Sequence, residues 1–325
     1  MKAFASINAA YDRVFTPGQL SIGVVVPIEN YETGSLPSMH RHLERVRLIE
    51  ALGYQALWLR DVPLHVPSFG DAGQTYDPFA YLGYLAGQTH QIALGIASIA
   101  LPLHHPVHVA KAAATIDQLS GGRLILGVAS GDRFQEYPAL GLDYEQRGAQ
   151  FRAAFDYLRR AAESFPNLRD NSFGRLDGTV DVLPKPMGPR LPLLITGHSR
   201  QTLEWNAEHG DGWLYYPRNL HEQAQQIRQW RSAVEQFHDH DKPFLQPLYI
   251  DLAAADDALP QPIHLGFRLG LHRLVEYFEH LRAIGVNHVA LNLRFNTGAV
   301  EATLEHLATH LLPQFHHPLQ PDVST

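Results

Sequence analysis

Between residues 195 and 202 the chain reads Ile195-Thr196-Gly197-His198-Ser199-Arg200-Gln201-Thr202. An apolar run stops at a glycine, and a helical segment starts at once with small hydroxyl residues. Free backbone amides at such a junction, with the Ser199 and Thr202 hydroxyls, suit a phosphate group. The same hydroxyls also suit plain helix capping, and the residues alone leave both readings open. Two other junctions offer very little side chain. Residues 92–99 end close to Ala97-Ser98, and residues 124–130 run into Ser130-Gly131-Asp132. β-Branched residues pack better in a strand, so small ones there either leave room for a ligand or mark a bulge. Taken together, three junctions with small residues and amide donors suggest one large planar ligand that carries a phosphate.

Those junctions need elements that hold them side by side. Residues 89–132 contain two short apolar runs separated by the helical spacing of residues 107–119, which closes at Ser120-Gly121-Gly122. That is a β–α–β unit, the crossover that parallel strands require. The pattern repeats along the chain. Strands are expected at 21–28, 56–61, 92–99, 124–130, 193–197, 212–216, 247–253 and 288–293. Helices are expected at 39–52, 78–89, 107–119, 144–164, 200–208, 220–238, 270–284 and 300–311. Strict alternation, eight of each, predicts an α/β chain folded as a (β/α)8 TIM barrel with insertion loops at its C-terminal face; a doubly wound open sheet is the runner-up. Gly53 and Gly285 suit left-handed helix ends, and Asp77-Pro78 suits a helix start. In such a barrel the chemistry sits where strands end.

One domain over residues 1–315 is expected, followed by a polar, Pro-rich tail at 316–325. The Pro- and Gly-rich stretch 165–190, with a β-prone piece at 178–183, reads as an excursion rather than a linker. With 29–37, 65–76 and 254–266 it is expected to shape the cavity.

The net charge of −7, without a basic cluster, argues against nucleic acid as a partner. No run of apolar residues is long enough for a membrane span, and the first twenty residues lack the apolar core of a signal peptide. The chain has no cysteine, which excludes disulfides and thiolate chemistry and agrees with a cytoplasmic location. Its 20 histidines are scattered. His104 and His105 are adjacent and point to opposite sides of an extended chain, so they do not share an ion, and no His-Glu-x-x-His spacing occurs. No metal site is expected. Lys111 and Lys185 lie away from strand ends, which argues against a Schiff-base aldolase.

Residues 95–132 contain Leu101-Pro102, His105-Pro106-Val107, Asp117-Gln118-Leu119-Ser120 and Gly122-Arg123. Further along come Gly197-His198-Ser199, Thr202-Leu203-Glu204-Trp205 and Gly210-Asp211-Gly212-Trp213, while Leu52-Gly53-Tyr54 and Leu57-Trp58 precede them. The combination spans about residues 20–295 and resembles the bacterial luciferase-like flavin monooxygenases. The resemblance implies a barrel that binds reduced FMN or, in one branch, the deazaflavin F420. It implies a bulge at the end of the third strand, often with a non-proline cis peptide, which supports the flavin and maps to Ala97-Ser98. The flavin phosphate maps to Gly197, His198, Ser199 and Thr202, and the fourth exit adds Ser130 and Gly131. Luciferase itself has a phosphate-binding arginine where this chain has Ser130, so Arg133, Arg147 and Arg200 are candidates for the missing charge. Luciferase also has a catalytic histidine after its second strand. Here Asp61 or Val62 takes that place and His65 lies slightly beyond, which makes Asp61 and His65 the catalytic candidates and argues against light emission.

The implied function is an FMN-dependent oxidoreductase, a monooxygenase using reduced flavin and O2 on a small organic substrate. The chain has no Gly-x-Gly-x-x-Gly fingerprint after a strand, which agrees with reduced flavin arriving from a separate flavin reductase. The alternatives are F420-dependent hydride transfer and a flavin-binding relative without turnover. The family implies a homodimer, and the apolar helix 107–119 suits its interface or, equally, the core.

Overall fold

Strands covered on both faces have no polar side, and each apolar run becomes such a strand. The computed structural model describes residues 2–31 and 34–315. Its barrel strands are β1 Ser21–Val25, β2 Ala56–Leu59, β3 Ala93–Ala100, β4 Leu124–Ala129, β5 Leu193–Thr196, β6 Gly212–Leu214, β7 Phe244–Leu252 and β8 His288–Asn292. Each pairs in parallel with the next, and β8 pairs with β1 to close the ring. The helices are α1 His42–Ala51, α2 Pro78–Ala86, α3 Pro106–Leu119, α4 Arg147–Ala161, α5 Leu203–His209, α6 Leu220–Glu235, α7 Leu271–Ile284 and α8 Val300–His310. The expected barrel is therefore present, with every strand and helix in its expected place. Asp77 accepts from the Ala80 amide at 2.8 Å with Pro78 in the first turn, and Gly285 ends α7 at φ 100°.

Apolar side chains fall into two layers. One lies between strands and helices; the other fills the barrel and includes Trp58, Ile125, Leu194 and Leu245. Gly95 makes room for Trp58, because a Cβ there would stand 2.3 Å from the indole. A short helix absent from the sequence reading, Ala9–Val14, closes the lower end with Tyr11 and buried Phe15. Its Ala10 amide donates to Gly122 O, just before β4, and Tyr11 Oη donates to Asp211 O, just before β6.

Two expectations need correction. The piece 178–183 is not a strand; instead Asn167–Leu168 pairs antiparallel with Leu176–Asp177. The 165–190 excursion also does not shape the cavity. It joins α4 to β5, and it lies against α3 through Met187 N to Asp117 Oδ2 at 2.8 Å and Gln118 Nε2 to Lys185 O at 2.9 Å. By contrast, the stretch after β7 does form part of the mouth. There Gln261–Ile263 pairs with Gly266–Leu269, which runs parallel to β7. The tail 316–325 and residues 32 and 33 of the 29–37 loop lie outside the described residues. Among the described residues no helix is long and apolar enough to cross a membrane, and no group of three or more metal-ligating side chains occurs.

Candidate active site

Successive side chains in a strand alternate between the barrel interior and the helices. In the lower layers the inward positions carry Trp58, Ile125 and Leu194. Nearer the C-terminal ends they carry Ala97, Ala129 and Ala290, all of which line a cavity of about 770 Å³. Small inward residues on β3, β4 and β8 thus make room there, beside larger lining residues such as Leu214, Leu245 and Tyr249. A second hollow, of about 490 Å³, lies at the other end against Lys2, Arg228 and Asp241 and is remote from every strand exit.

The shelf at the end of β3 is bulged, with the pairing to β4 shifting register between Ile96 and Ile99. The Ala97–Ser98 peptide is cis. Gly127 on β4 permits this approach, since a Cβ there would stand 2.5 Å from Ile96 O. Ser98 Oγ donates to Thr196 Oγ1 at 2.6 Å, which ties the β3 shelf to the β5 exit. The two spots therefore border the same space. Ser130 and Gly131 line it as well; Ser130 O accepts from Tyr137 Oη, and Gly131 turns the chain at φ 71°.

At the β5 exit the chain turns through Gly197 (φ 57°), Ser199 (φ 47°) and Arg200 (φ 60°). Trp213 Nε1 donates to Gly197 O at 2.6 Å and Asn206 Nδ2 to His198 O at 3.3 Å, so the turn is held from below. No acceptor among the described residues meets the amides of His198, Ser199 and Arg200. Gly197, His198 and Ser199 line the cavity. The Ser199 hydroxyl itself is turned inward and donates to Thr196 O at 2.8 Å. Thr202 lies outside the cavity and caps α5, its Oγ1 accepting from Trp205 N at 3.2 Å.

Asp61 and His65, four positions apart in the sequence, part company. Asp61 lines the cavity with a side chain 2% exposed, whereas His65 is exposed and outside it. Asp61 Oδ2 accepts from the Ala100 amide at 3.0 Å and from His104 Nε2 at 2.7 Å. Burial would push the His104 imidazole down, but the Asp61 carboxylate outweighs it and holds the ring above its ordinary value, with Asp77 and Glu136 adding to the effect.

Of the three candidate arginines only Arg133 reaches the cavity. Its guanidinium lies 4.2 Å from the Phe69 ring centre, Nη2 donates to Asp71 O, and buried Nη1 has no partner among the described residues. Arg147 is folded onto Tyr144 and Arg200 is exposed. Arg218, at the β6 exit, also lines the rim.

Sequence reasoning missed the hub at Asp71. Its carboxylate meets Arg60 Nη1 at 2.8 Å, Tyr31 Oη at 2.8 Å and Arg294 Nη1 at 3.2 Å, which pins the loop after β2 to the exits of β1, β2 and β8. Burial pushes this carboxyl up; Arg60 reverses that and holds it well below the usual carboxylate range. No local signal marks Asp71, because its partners come from distant strands. Tyr249 was more accessible: it follows Leu245 and Pro247 on the inward face of β7 and lines the cavity.

A model of the luciferase-like monooxygenases matches residues 20–258. An uncharacterised protein of Mycobacterium tuberculosis (strain ATCC 25618 / H37Rv) is 28% identical over 266 residues, covering 76% of this chain and 85% of that protein. The alkanal monooxygenase alpha chain of Photorhabdus luminescens is 27% identical over 200 residues, covering 60% of this chain and 52% of that one, so the match spans about half of that relative's length. Two solved structures share the fold. An F420-dependent secondary alcohol dehydrogenase, solved with an F420–acetone adduct, gives a TM-score of 0.73 at 16% identity over 90% of this chain and 98% of that one. The oxygenating constituent of 3,6-diketocamphane monooxygenase from Pseudomonas putida, solved with FMN, gives 0.71 at 12% identity over 92% and 100%. With the barrel, the bulged β3 shelf and a family match over most of its length, the chain belongs to the luciferase-like monooxygenase family.

Proposed function

We propose that this protein is an FMN-dependent oxidoreductase, a monooxygenase that uses reduced flavin and O2 on a small organic substrate. The observation that carries the reading is a single cavity bordered by both Ala97-Ser98 and Gly197–Ser199, with the two strand ends tied by the Ser98–Thr196 hydroxyl bond. Its volume falls in the range of small-molecule sites, a few hundred to about a thousand Å³. The residues fit the group. The small lining residues Ala97, Ala129 and Ala290 leave room for an isoalloxazine, and the amides of residues 198–200 lack an acceptor that a phosphate would supply. The phosphate contact then falls to backbone amides, His198 and the nearby Arg218 rather than to the hydroxyls of Ser199 and Thr202, which already serve the turn and the helix.

Reduced FMN, when bound, supplies the two electrons that activate O2. The chain's own part is to hold the ring on the β3 shelf, to keep water out with Leu214, Leu245 and Val25, and to offer Asp61, a carboxylate bonded to the Ala100 amide at the end of β3. A separate flavin reductase as the source of reduced flavin belongs to the same reading. Hydride transfer with F420 is the alternative, supported by the fold shared with the F420-dependent dehydrogenase. Anaerobic titration of the purified protein with FMN, reduced FMN and F420 tests both. Reduced FMN is expected to bind most tightly; binding of F420 alone selects the alternative, and binding of none of the three removes the flavin reading.

A further inference from the structure

We propose that His104 is the positioning residue for Asp61, holding one carboxylate oxygen so that the other is left to take a proton from a molecule in the cavity. The short 3-10 turn Leu101–Leu103 follows β3 directly and delivers His104 beside the β2 exit. A buried carboxylate needs donors, and both of those available go to the same atom: the Ala100 amide at 3.0 Å and His104 Nε2 at 2.7 Å meet Oδ2. Oδ1 has no partner among the described residues, although Asp61 lines the cavity. Ala100 ends the strand that carries Ala97 and Ser98, so the carboxylate is anchored to the strand that forms the shelf. His104 reaches solvent, its side chain 26% exposed against 2% for Asp61, and does not line the cavity. It therefore acts through Asp61. Its neighbour His105 is committed elsewhere, accepting from Val107 N at 3.3 Å and meeting Phe173 O at 2.9 Å.

The step at Asp61 is a proton transfer: an O–H or N–H bond of the ligand breaks, the proton goes to Oδ1, and the electron pair stays on the ligand's heteroatom. Charged groups facing the pair are Asp77 and Glu136 toward His104, and Glu136 toward Asp61; Arg133 and Asp132 in turn face Glu136. As pH rises through its titration, the imidazole keeps an N–H for Oδ2 but loses its charge. Asp61 then stays oriented, with a neutral donor in place of a cation beside it.

Two readouts test this, and only the second rests on the flavin reading. Ring-proton NMR of the protein without cofactor, assigned with His104→Gln, should show His104 titrating above the ordinary histidine value of about 6.5, and falling to that value or below in Asp61→Asn. Reoxidation of protein-bound reduced FMN by O2 is then followed through the return of flavin absorbance from about pH 5 to 9. Wild type should show a limb at the His104 titration. His104→Gln, which keeps a donor without the charge, should lose that limb and hold close to the wild-type high-pH rate across the range. His104→Ala should be about 10- to 100-fold slower, with flavin affinity unchanged. An unchanged His104 titration in Asp61→Asn, or a limb that survives in His104→Gln, overturns the proposal. If no flavin binds, the flavin reading fails while the NMR titration still decides the pairing.

Discussion

The two ends of the barrel use the same alternating strands for opposite ends. At the lower end the inward side chains are large, and Tyr11 and Phe15 of the N-terminal helix finish the seal. Buried charge there is answered from within at Asp211 and Lys242, although Arg13 Nε and Nη2 on the sealing helix have no partner among the described residues. Asp211 meets Arg190 Nη2 at 2.9 Å, the Leu193 amide at 2.8 Å and Arg159, while Lys242 Nζ donates to Ala207 O at 2.6 Å and meets His238 Nε2 at 2.9 Å. At the mouth the inward side chains of β3, β4 and β8 shrink to alanine, and donors and acceptors remain unmet: Asp61 Oδ1, Arg133 Nη1 and the amides of residues 198–200. One backbone pattern therefore yields a plug or a receptacle according to side-chain volume and to which polar groups are left over.

The largest test is aimed at the sealed end. Asp211→Asn leaves two arginines facing a lost charge and should cost about 3–5 kcal/mol in urea unfolding, with reduced-FMN affinity of the folded protein unchanged. Burial would raise the Asp211 carboxyl, but Arg159 and Arg190 hold it below its ordinary value. Its contribution is thus present above the unfolded carboxylate pKa and lost as pH falls through the folded one.

Lys242 gives a test with the same pH slope in a higher pH window. Burial brings its amine down to about 7. Between that value and the unfolded lysine pKa, the unfolded chain holds a proton that the folded chain has released, so stability rises with pH. Relative to Lys242→Met, the wild type should gain about 2 kcal/mol between pH 7 and 9, read from paired urea curves.

At the mouth, Ala129→Leu places a large side chain on the cavity floor. Reduced-FMN affinity should fall at least tenfold, about 1.4 kcal/mol, measured by fluorescence titration, while the unfolding midpoint moves little. A binding constant equal to wild type would mean that the ligand lies elsewhere. The smallest effect separates a cap from a ligand contact. Thr202→Ala should lose about 1 kcal/mol of stability through the missing bond to Trp205 N, with no change in flavin affinity.

Strand and helix positions were legible because burial writes a local period into the chain. Asp77-Pro78 and Gly285 marked helix ends for equally local reasons, the proline fixing a helical φ and the glycine accepting a positive one. The site was legible in part. The small residues at Ala97, Ser98, Ser130 and Gly131 and the turn at Gly197–Ser199 stood out because strand ends seldom combine so little side chain with so many amides, and the resemblance joined them into one cofactor site. His65 and Thr202 were nominated by nearness in sequence, and the fold turns both away from the cavity. The pairing of Asp61 with His104 across 43 positions, and the convergence of Arg60, Tyr31 and Arg294 on Asp71, leave no local trace.

By itself the sequence determined the alternation of eight strands with eight helices, their order, and which strand ends carry small residues, since all of these follow from periodicity and side-chain size within short windows. Only the tertiary structure decided that the lower barrel is sealed by residues 9–14, that the 165–190 excursion lies against α3 rather than at the mouth, and which polar atoms are answered and which are left facing the cavity. Those outcomes depend on closing the ring, which brings groups far apart in the chain within hydrogen-bonding distance, where burial makes each unmet partner costly.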